Sequence, residues 1–348
     1  MTEKASKKDN IFDTIPKLML HHARERGNSP ANRQKELGIW NSWTWNQVAD
    51  EVKSLALGLA SLGFQRGEKL AVIGNNRPRL YWSMVATQVL GGIPVPLYQD
   101  SVAEEMLYVL ENADVKYAIV QNQEQTDKLL EIKERLPKLE HICYEEPRGM
   151  RNYSKEFIHY YKDIQENGKI FQDDNPDFFL SEIEKSHGSD IAIFLYTSGT
   201  TGDPKGVVLT FDNLIISSRN GIKFDSLTSE EEVLAYLPMA WVGDNIFSFG
   251  QAYVAGFCVN CPENRETVTT DLKEIGPTYY FAPPAIYENV LTKVMIRMED
   301  SGKIKILKEA ELVMPVGEII CQIDTSVKNN SSKKNNKNIV VDSLLNKK

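Results

Sequence analysis

Short apolar strands alternate with amphipathic helices along residues 69–144 of this chain. Four predicted strands are separated by three predicted helices: Lys69–Gly74, Arg79–Leu90, Ile93–Tyr98, Val102–Ala113, Val115–Val120, Glu124–Leu136 and His141–Tyr144. Such alternation is typical of an α/β fold, because a crossover helix lets the next strand lie parallel to the last. The sequence therefore predicts an α/β fold of layered, mostly parallel sheets with flanking helices.

A further helix precedes this region. Thr44 and Gln47 have the spacing of a capping box. Apolar residues then recur at three- and four-residue steps, at Val48, Val52, Leu55, Leu59 and Leu62. Gly63 stands where a left-handed C-terminal cap is expected. Ser101 and Glu104 repeat the capping spacing before the helix that begins at Val102.

The second half of the chain continues the pattern after an interruption. Pro147–Asp177 is dense in Tyr, Asn, Lys and Asp without a clean period. We interpret it as a surface loop or irregular helix, with a role in substrate binding as the alternative. The later predicted elements are the strands Val233–Leu237, Phe257–Cys261 and Thr278–Ala282, the helix Ile246–Ala255, and a helix that Pro283 and Pro284 open.

Composition limits the class of protein. The net charge is −8, from 40 basic and 48 acidic residues, which argues against a nucleic-acid-binding protein. No apolar leader and no bilayer-length apolar run are present, so we expect a cytoplasmic protein, with peripheral membrane contact left open. Cys258 and Cys261 have a zinc-like spacing without a second pair, and we interpret them as buried strand residues.

A hydroxyl- and glycine-rich loop follows the apolar strand Ile191–Tyr196. It contains four hydroxyl residues, three glycines and one lysine before the predicted strand Val207–Thr210. Glycines bring backbone N–H groups close to an anion, and hydroxyls and a lysine add donors and charge. The loop therefore indicates a polyphosphate site. A Walker-type loop is excluded because Lys205 is followed by Gly206, and a plain surface turn needs far fewer hydroxyls.

At these residues the chain resembles the signature loop of the adenylate-forming superfamily, which includes acyl-CoA synthetases, luciferases and peptide-synthetase adenylation domains. In that family the loop holds the phosphates of ATP during carboxylate adenylation. The resemblance implies that ATP phosphates contact Thr197, Ser198, Gly199, Thr200, Thr201, Gly202 and Lys205.

Two further segments are similar to the same superfamily. Leu237-Pro238-Met239-Ala240-Trp241 aligns with a Leu-Pro-Leu motif that ends in an aromatic residue or His near the acyl pocket. The resemblance makes Trp241 a candidate to line that pocket, and a core tryptophan at a strand end is the alternative. Phe281–Glu288 resembles a segment of long-chain fatty acyl-CoA synthetases, with Ala285 in place of the usual Arg.

The resemblance covers Phe12–Lys305 and is nearest to bacterial-type long-chain acyl-CoA synthetases. It implies an incomplete N-terminal AMP-binding domain at residues 1–305, followed at 306–348 by an unmatched tail of disordered composition. We find neither the family's Tyr-Gly-x-Thr-Glu segment nor its C-terminal domain with the adenylation lysine. The catalytic residues therefore stay unassigned, and we expect a truncated, frameshifted or internally deleted product with impaired activity.

The resemblance implies an AMP-forming long-chain fatty acid–CoA ligase. ATP would adenylate the acid, Mg²⁺ would be held through the phosphates, and CoA would be the co-substrate that displaces AMP. The alternative is a non-catalytic nucleotide-binding or interaction protein built on the same domain. The length of the acyl chain and the oligomeric state cannot be read from the residues.

Overall fold

The structure is a computed structural model that describes residues 12–197 and 204–301. Its strands are β1 (Pro30–Glu36), β2 (Ile39–Thr44), β3 (Lys69–Ile73), β4 (Ile93–Leu97), β5 (Val115–Val120), β6 (His141–Tyr144), β7 (Ile158–Tyr160), β8 (Ile191–Thr197), β9 (Lys205–Thr210), β10 (Glu232–Leu234) and β11 (Cys258–Cys261).

The helices of the described residues follow the same chain order. They are α1 (Ile15–Arg26), α2 (Trp45–Ser61), α3 (Pro78–Val89), α4 (Ala103–Asn112), α5 (Gln123–Ile132), α6 (Tyr161–Asp174), α7 (Phe178–Glu184), α8 (Phe211–Asp225), α9 (Val242–Asp244), α10 (Gln251–Ala255), α11 (Val268–Ile275) and α12 (Pro284–Asp300). A π-helical turn, Asn245–Gly250, connects α9 to α10.

The described strands form three sheets. The central parallel sheet has the order β4-β3-β5-β6-β7, with every neighbouring pair parallel. The mixed sheet has the order β10-β11-β1-β2, with only β1 and β2 antiparallel. The hairpin β8–β9 is antiparallel. The α/β fold with mostly parallel sheets is confirmed.

Layering follows from where the apolar faces lie. One core cluster joins α2 and α3 to both the mixed sheet and one face of β3, and a second joins the opposite face of β3 to α4 and α5. Helix α3 is buried along its whole length except at Arg79. A helix that is buried on all sides belongs between two layers. The order is therefore mixed sheet, α2 and α3, central parallel sheet, then α4 and α5.

The predicted caps have different outcomes. The capping box of Thr44 and Gln47 is confirmed at the start of α2, and Gly63 has the expected positive φ of 90°. The capping box proposed for Ser101 and Glu104 is wrong. Helix α4 begins after Val102, and no side chain caps its first turn.

The interpretation of Pro147–Asp177 as a loop or irregular helix is wrong for its second half. Strand β7 adds the last strand of the central parallel sheet, and α6 is a regular helix that packs along α2. The two helices approach so closely at Gly168 that only glycine fits, because a Cβ there would lie 1.9 Å from the carbonyl oxygen of Ser54. Interhelical packing therefore stabilises a helix that its polar sequence does not predict.

The chain divides into two compact units after Tyr280. The predicted strand Thr278–Ala282, which crosses this boundary, is wrong, because its residue Tyr279 forms an isolated bridge with Val233 and no strand is present. In the second unit, α12 begins at Pro284, and the prediction that prolines open this helix is confirmed. Within residues 12–197 and 204–301, no helix is both long enough and apolar enough to cross a bilayer.

Candidate functional site

The hairpin β8–β9 presents the two described ends of the hydroxyl- and glycine-rich loop. Thr197 is the last residue of β8 and Lys205 is the first of β9, and the two are paired directly across the ladder. Both side chains are exposed, and the Thr197 hydroxyl lies 3.5 Å from the carbonyl oxygen of Lys205. The predicted contacts Ser198, Gly199, Thr200, Thr201 and Gly202 lie outside the described residues.

Buried contacts anchor the base of this hairpin. The Tyr196 hydroxyl donates a hydrogen bond to Asn112 Oδ1 at 2.6 Å, and Gln88 Nε2 donates to the carbonyl oxygen of Ala192 at 2.8 Å. Gly206 lies against the Phe194 ring, since a Cβ there would be 2.3 Å from a ring carbon. The strands that carry Thr197 and Lys205 are therefore held by α3 and α4.

The paired strand ends have the chemistry of an anion site. A lysine ammonium is a point charge with three donors, and a threonine hydroxyl adds one more. Among the residues that the structure describes, no carboxylate forms an ion pair with Lys205. Its charge is therefore not neutralised by a described acidic side chain.

Trp241 lies in a second part of the molecule, at the turn that follows β10. It is half-buried and directly precedes α9. Asn245 Nδ2 donates to the carbonyl oxygens of Met239 at 2.8 Å and Trp241 at 2.9 Å. The indole lies against Gly243, where a Cβ would be 2.0 Å from the ring. The backbone and the ring of Trp241 are therefore both constrained.

A buried polar network lies directly behind this turn. The Tyr81 hydroxyl donates to Asp244 Oδ2 at 2.7 Å, and Asn76 Nδ2 lies 3.2 Å from Asp244 Oδ1 and 2.7 Å from the Tyr81 oxygen. Ser248 also hydrogen-bonds to the carboxyl group of Asp244. Asn76 Nδ2 donates to the carbonyl oxygen of Leu237 at 2.8 Å. We call Asn76, Tyr81, Asp244 and Ser248 the Asp244 network.

Burial dominates the electrostatics of this network. The side chain of Asp244 is fully buried, and desolvation raises the pKa of its carboxyl group to about 7, against the opposing effect of its three hydrogen-bond donors. Burial and the nearby carboxyl group of Asp244 also raise the pKa of the Tyr81 hydroxyl. Tyr81 is therefore a neutral hydrogen-bond donor at neutral pH.

A third polar cluster lies at the carboxyl ends of β3 and β5. The chain passes from β3 to β4 on one side and then to β5 on the other side of β3, which makes this a topological switch point. Ligands of open α/β sheets bind outside the carboxyl ends of the strands at such a point. The Asn75 backbone N–H donates to Gln121 Oε1 at 2.7 Å, and Gln99 Nε2 donates to Asn75 Oδ1. Gln125 Oε1 is buried without a hydrogen-bond partner among the described residues.

Sequence reasoning missed the Asp244 network and this carboxamide cluster. Asn75 and Asn76 follow the predicted strand at residues 69–74, and Gln121 follows the predicted strand at 115–120. The general rule for carboxyl ends of parallel strands could have selected them. No pattern could have paired Asp244 with Tyr81, because 163 residues separate them.

Curated relatives with related sequences are long-chain-fatty-acid–CoA ligases. The chain is 26% identical over 302 residues to ACSBG1 of Rattus norvegicus, covering 84% of this chain and 41% of the rat protein. It is 27% identical over 290 residues to ACSBG2 of Homo sapiens, covering 80% of this chain and 41% of the human protein. The chain thus spans less than half the length of these relatives.

Solved structures share the fold. The anthranilate CoA ligase AuaEII in complex with anthranoyl-AMP matches with a TM-score of 0.66 at 20% identity, over 80% of this chain and 52% of that one. The luciferase-like enzyme from the mealworm Zophobas morio matches with a TM-score of 0.64 at 15% identity, over 82% and 62%. Residues 19–320 match the family described as AMP-binding enzyme, and this chain therefore belongs to the AMP-binding enzyme family.

Proposed function

We propose that this chain supplies the ATP- and acid-binding part of an AMP-forming long-chain fatty acid–CoA ligase. The observation that carries the proposal is the direct pairing of exposed Thr197 and Lys205 at the two ends of the hydroxyl- and glycine-rich loop. Both residues lie within the family match, which covers residues 19–320. In this proposal residues 1–305 are the N-terminal AMP-binding portion, and 306–348 are a separate tail.

Adenylation brings a carboxylate to the α-phosphorus of ATP, so two anions must approach each other. A site for this reaction needs fixed donors and a positive charge where the negative charge collects. Lys205 and the Thr197 hydroxyl would contact the phosphates, together with Ser198, Gly199, Thr200, Thr201 and Gly202. The anchoring of β8 through Tyr196 supports this role, because fixed donors need no rearrangement when the nucleotide binds.

Trp241 is our candidate for the acyl pocket. Its half-buried indole lies on a turn that hydrogen bonds from Asn76 and Asn245 fix. An aromatic surface held in one place suits the aliphatic part of an acid substrate. The long-chain-fatty-acid–CoA ligases among the relatives favour a fatty acid over a smaller acid.

Mg²⁺ and CoA belong to the same proposal. Mg²⁺ keeps several waters and commonly binds through substrate phosphates, so it would enter with ATP and needs no dedicated cage of protein ligands. Within residues 12–197 and 204–301, no group of three or more His, Cys, Asp or Glu residues has metal-binding geometry. CoA would then displace AMP from the acyl-adenylate.

ATP–pyrophosphate exchange tests the proposal. The full chain is incubated with ATP, Mg²⁺, labelled pyrophosphate and a long-chain fatty acid. We expect label to enter ATP only when the acid is present, and to fall in Lys205→Ala but not in Lys155→Ala, which removes an exposed lysine remote from the loop in sequence.

Two other results have defined meanings. ATP-dependent thermal stabilisation without exchange, even at high protein concentration, would replace the ligase with a non-catalytic nucleotide-binding protein. Absence of both exchange and stabilisation would reject the nucleotide site altogether.

A further inference from the structure

We propose that the Asp244 network positions Trp241 and thereby determines which acyl chains the candidate pocket accepts. The inference rests on the proposed function, because it assumes that Trp241 contacts the acid. It adds Asn76, Tyr81 and Asp244 as positioning residues, none of which would touch the substrate itself.

The network joins two sheets at the turn that carries Trp241. Asn76 follows β3 of the central parallel sheet, and its side-chain amide donates to Leu237, just beyond β10 of the mixed sheet. Tyr81 on α3 donates to Asp244 in α9. The position of the turn is therefore set by contacts with residues of other layers, which are far from the turn in the sequence.

Trp241 itself is connected to the network through three consecutive residues. Asn245 follows Asp244 and donates to the carbonyl oxygen of Trp241, while Gly243 precedes Asp244 and forms the surface on which the indole lies. A shift of the Asp244 carboxyl group must move the backbone of both neighbours. The ring of Trp241 would move with them.

The network has the character of a support, not of a binding site. The cavity that Tyr81 and Ser248 line is about 10 Å³, enough for one water and far too small for an acyl chain. Burying a carboxylate also carries a desolvation penalty that an apolar residue of similar volume would avoid. Full hydrogen bonding of Asp244 instead specifies one arrangement of the turn.

Chain-length preference is the property that such a support would control. One methylene more or less in an apolar pocket changes discrimination by about 10- to 200-fold. A displacement of the Trp241 ring by the length of one bond would thus shift which chain fills the pocket. The network would set specificity without changing the contacts of Lys205 with the nucleotide.

The experiment compares Asp244→Asn, Tyr81→Phe and Gly243→Ala with the unchanged chain. Saturated fatty acids of 8 to 18 carbons displace a fluorescent fatty acid, and each dissociation constant is measured by titration. Trp241 emission is obtained for every protein as its difference from the same protein carrying Trp241→Phe. Gly243→Ala acts directly on the indole, so it does not depend on the folding of the other two variants.

Asp271→Asn is the matched control. Asp271 is also a fully buried carboxylate, and it pairs with Lys35 at 2.8 Å and accepts from Thr267 at 2.7 Å. Its substitution removes a comparable buried interaction without contact to the Trp241 turn among the interactions described.

We expect the ratio of long-chain to short-chain affinity to change at least about fivefold in Asp244→Asn, Tyr81→Phe and Gly243→Ala, and to stay unchanged in Asp271→Asn. Unchanged ratios together with unshifted Trp241 emission in Asp244→Asn would overturn the inference while the proposed function stands. A wild-type chain that binds no fatty acid would overturn the proposed function instead. The positioning of Trp241 would still be judged by its emission.

Discussion

Lys205 and Asp244 show how environment decides what a charged residue does in this protein. Lys205 is exposed at a strand end, where its ammonium group keeps its hydration and is accessible to an anion. Asp244 is fully buried with three donors, and its carboxyl group is held in one place. Substitution of Lys205 should therefore alter binding, whereas substitution of Asp244 should alter both stability and geometry.

We predict that Lys205→Ala weakens nucleotide binding without destabilising the fold. Loss of one charge-assisted contact with phosphate should raise the dissociation constant of ATP about tenfold. The thermal stabilisation at a fixed, subsaturating ATP concentration with Mg²⁺ should fall accordingly. Lys155→Ala is the control, and an equal loss in both variants would contradict a specific role for Lys205.

The raised pKa of Asp244 predicts a pH-dependent stability. The carboxyl group binds its proton more tightly in the folded protein than in the unfolded chain, so its favourable contribution is complete below about pH 4 and is lost as the pH rises towards 7. Relative to Asp244→Asn, the wild type should lose on the order of 3 kcal/mol of unfolding free energy between pH 5 and pH 8. Urea denaturation of both proteins at the two pH values measures this difference. A pH-independent difference would show that Asp244 titrates normally.

At the residue scale, the sequence predicted the hydroxyl- and glycine-rich loop and Trp241, but not the network that supports the Trp241 turn. Hydroxyls, glycines and a lysine in one short stretch predict a phosphate site, because all of these donors are close together in the sequence. The Asp244 network is invisible in the sequence, since its function depends on Asn76 and Tyr81 approaching from another layer. Burial of a carboxylate is a tertiary property, which local patterns do not encode.

Among the elements, the packing of α6 on α2 depends on two glycines. Gly58 and Gly168 each lie against the backbone of the facing helix, where an added Cβ would be 2.1 Å from the Ile164 oxygen and 1.9 Å from the Ser54 oxygen. Backbone atoms cannot move aside as a flexible side chain can. The contact therefore requires glycine for space and not for backbone conformation.

We predict that Gly168→Ala destabilises the protein by about 3 kcal/mol, because the two helices must separate to accept the new methyl group. Asn167→Ala, on the exposed face of the same helix, should change stability by less than about 0.5 kcal/mol. Chemical denaturation measures both. A small effect of Gly168→Ala would mean that α6 is not tightly packed on α2.

The predicted elements were correct where apolar periodicity is strong and wrong where polar residues are buried. Strand β1 was missed because Pro30–Glu36 contains mostly polar residues. Nevertheless, Asn32 is buried and accepts a hydrogen bond from Trp82 Nε1 at 2.9 Å, and the Lys35 ammonium pairs with Asp271. Tertiary partners compensate the burial of these polar groups. An inner strand of the mixed sheet can therefore form without the hydrophobic alternation by which a strand is predicted.

In the whole molecule, the hairpin β8–β9 leaves apolar side chains on the surface. Val207 and Val208 are 38% and 48% exposed, and among the described residues β9 pairs only with β8. An apolar strand with an unpaired edge is a template for association with a second chain. The same hairpin that presents Lys205 is thus a candidate site of association on the described surface.

We predict that the double substitution Val207→Thr, Val208→Lys lowers concentration-dependent self-association, because it adds charge and polarity to the exposed strand. Light scattering across a concentration series measures the change. Leu180→Lys removes an exposed apolar residue on α7 and should have little effect. An equal improvement in both would indicate a general solubility effect without a role for the strand edge.

The mixed sheet pairs β1 with β11, although Asn32 and its partner Val259 are separated by 227 residues. A ribosome must therefore synthesise most of the described chain before β1 can acquire its parallel neighbour. The central parallel sheet needs only residues 69–160 and can close much earlier. During translation, one edge of β1 thus stays unpaired until β11 has been synthesised. In this interval a nascent chain of this fold would depend most on chaperones.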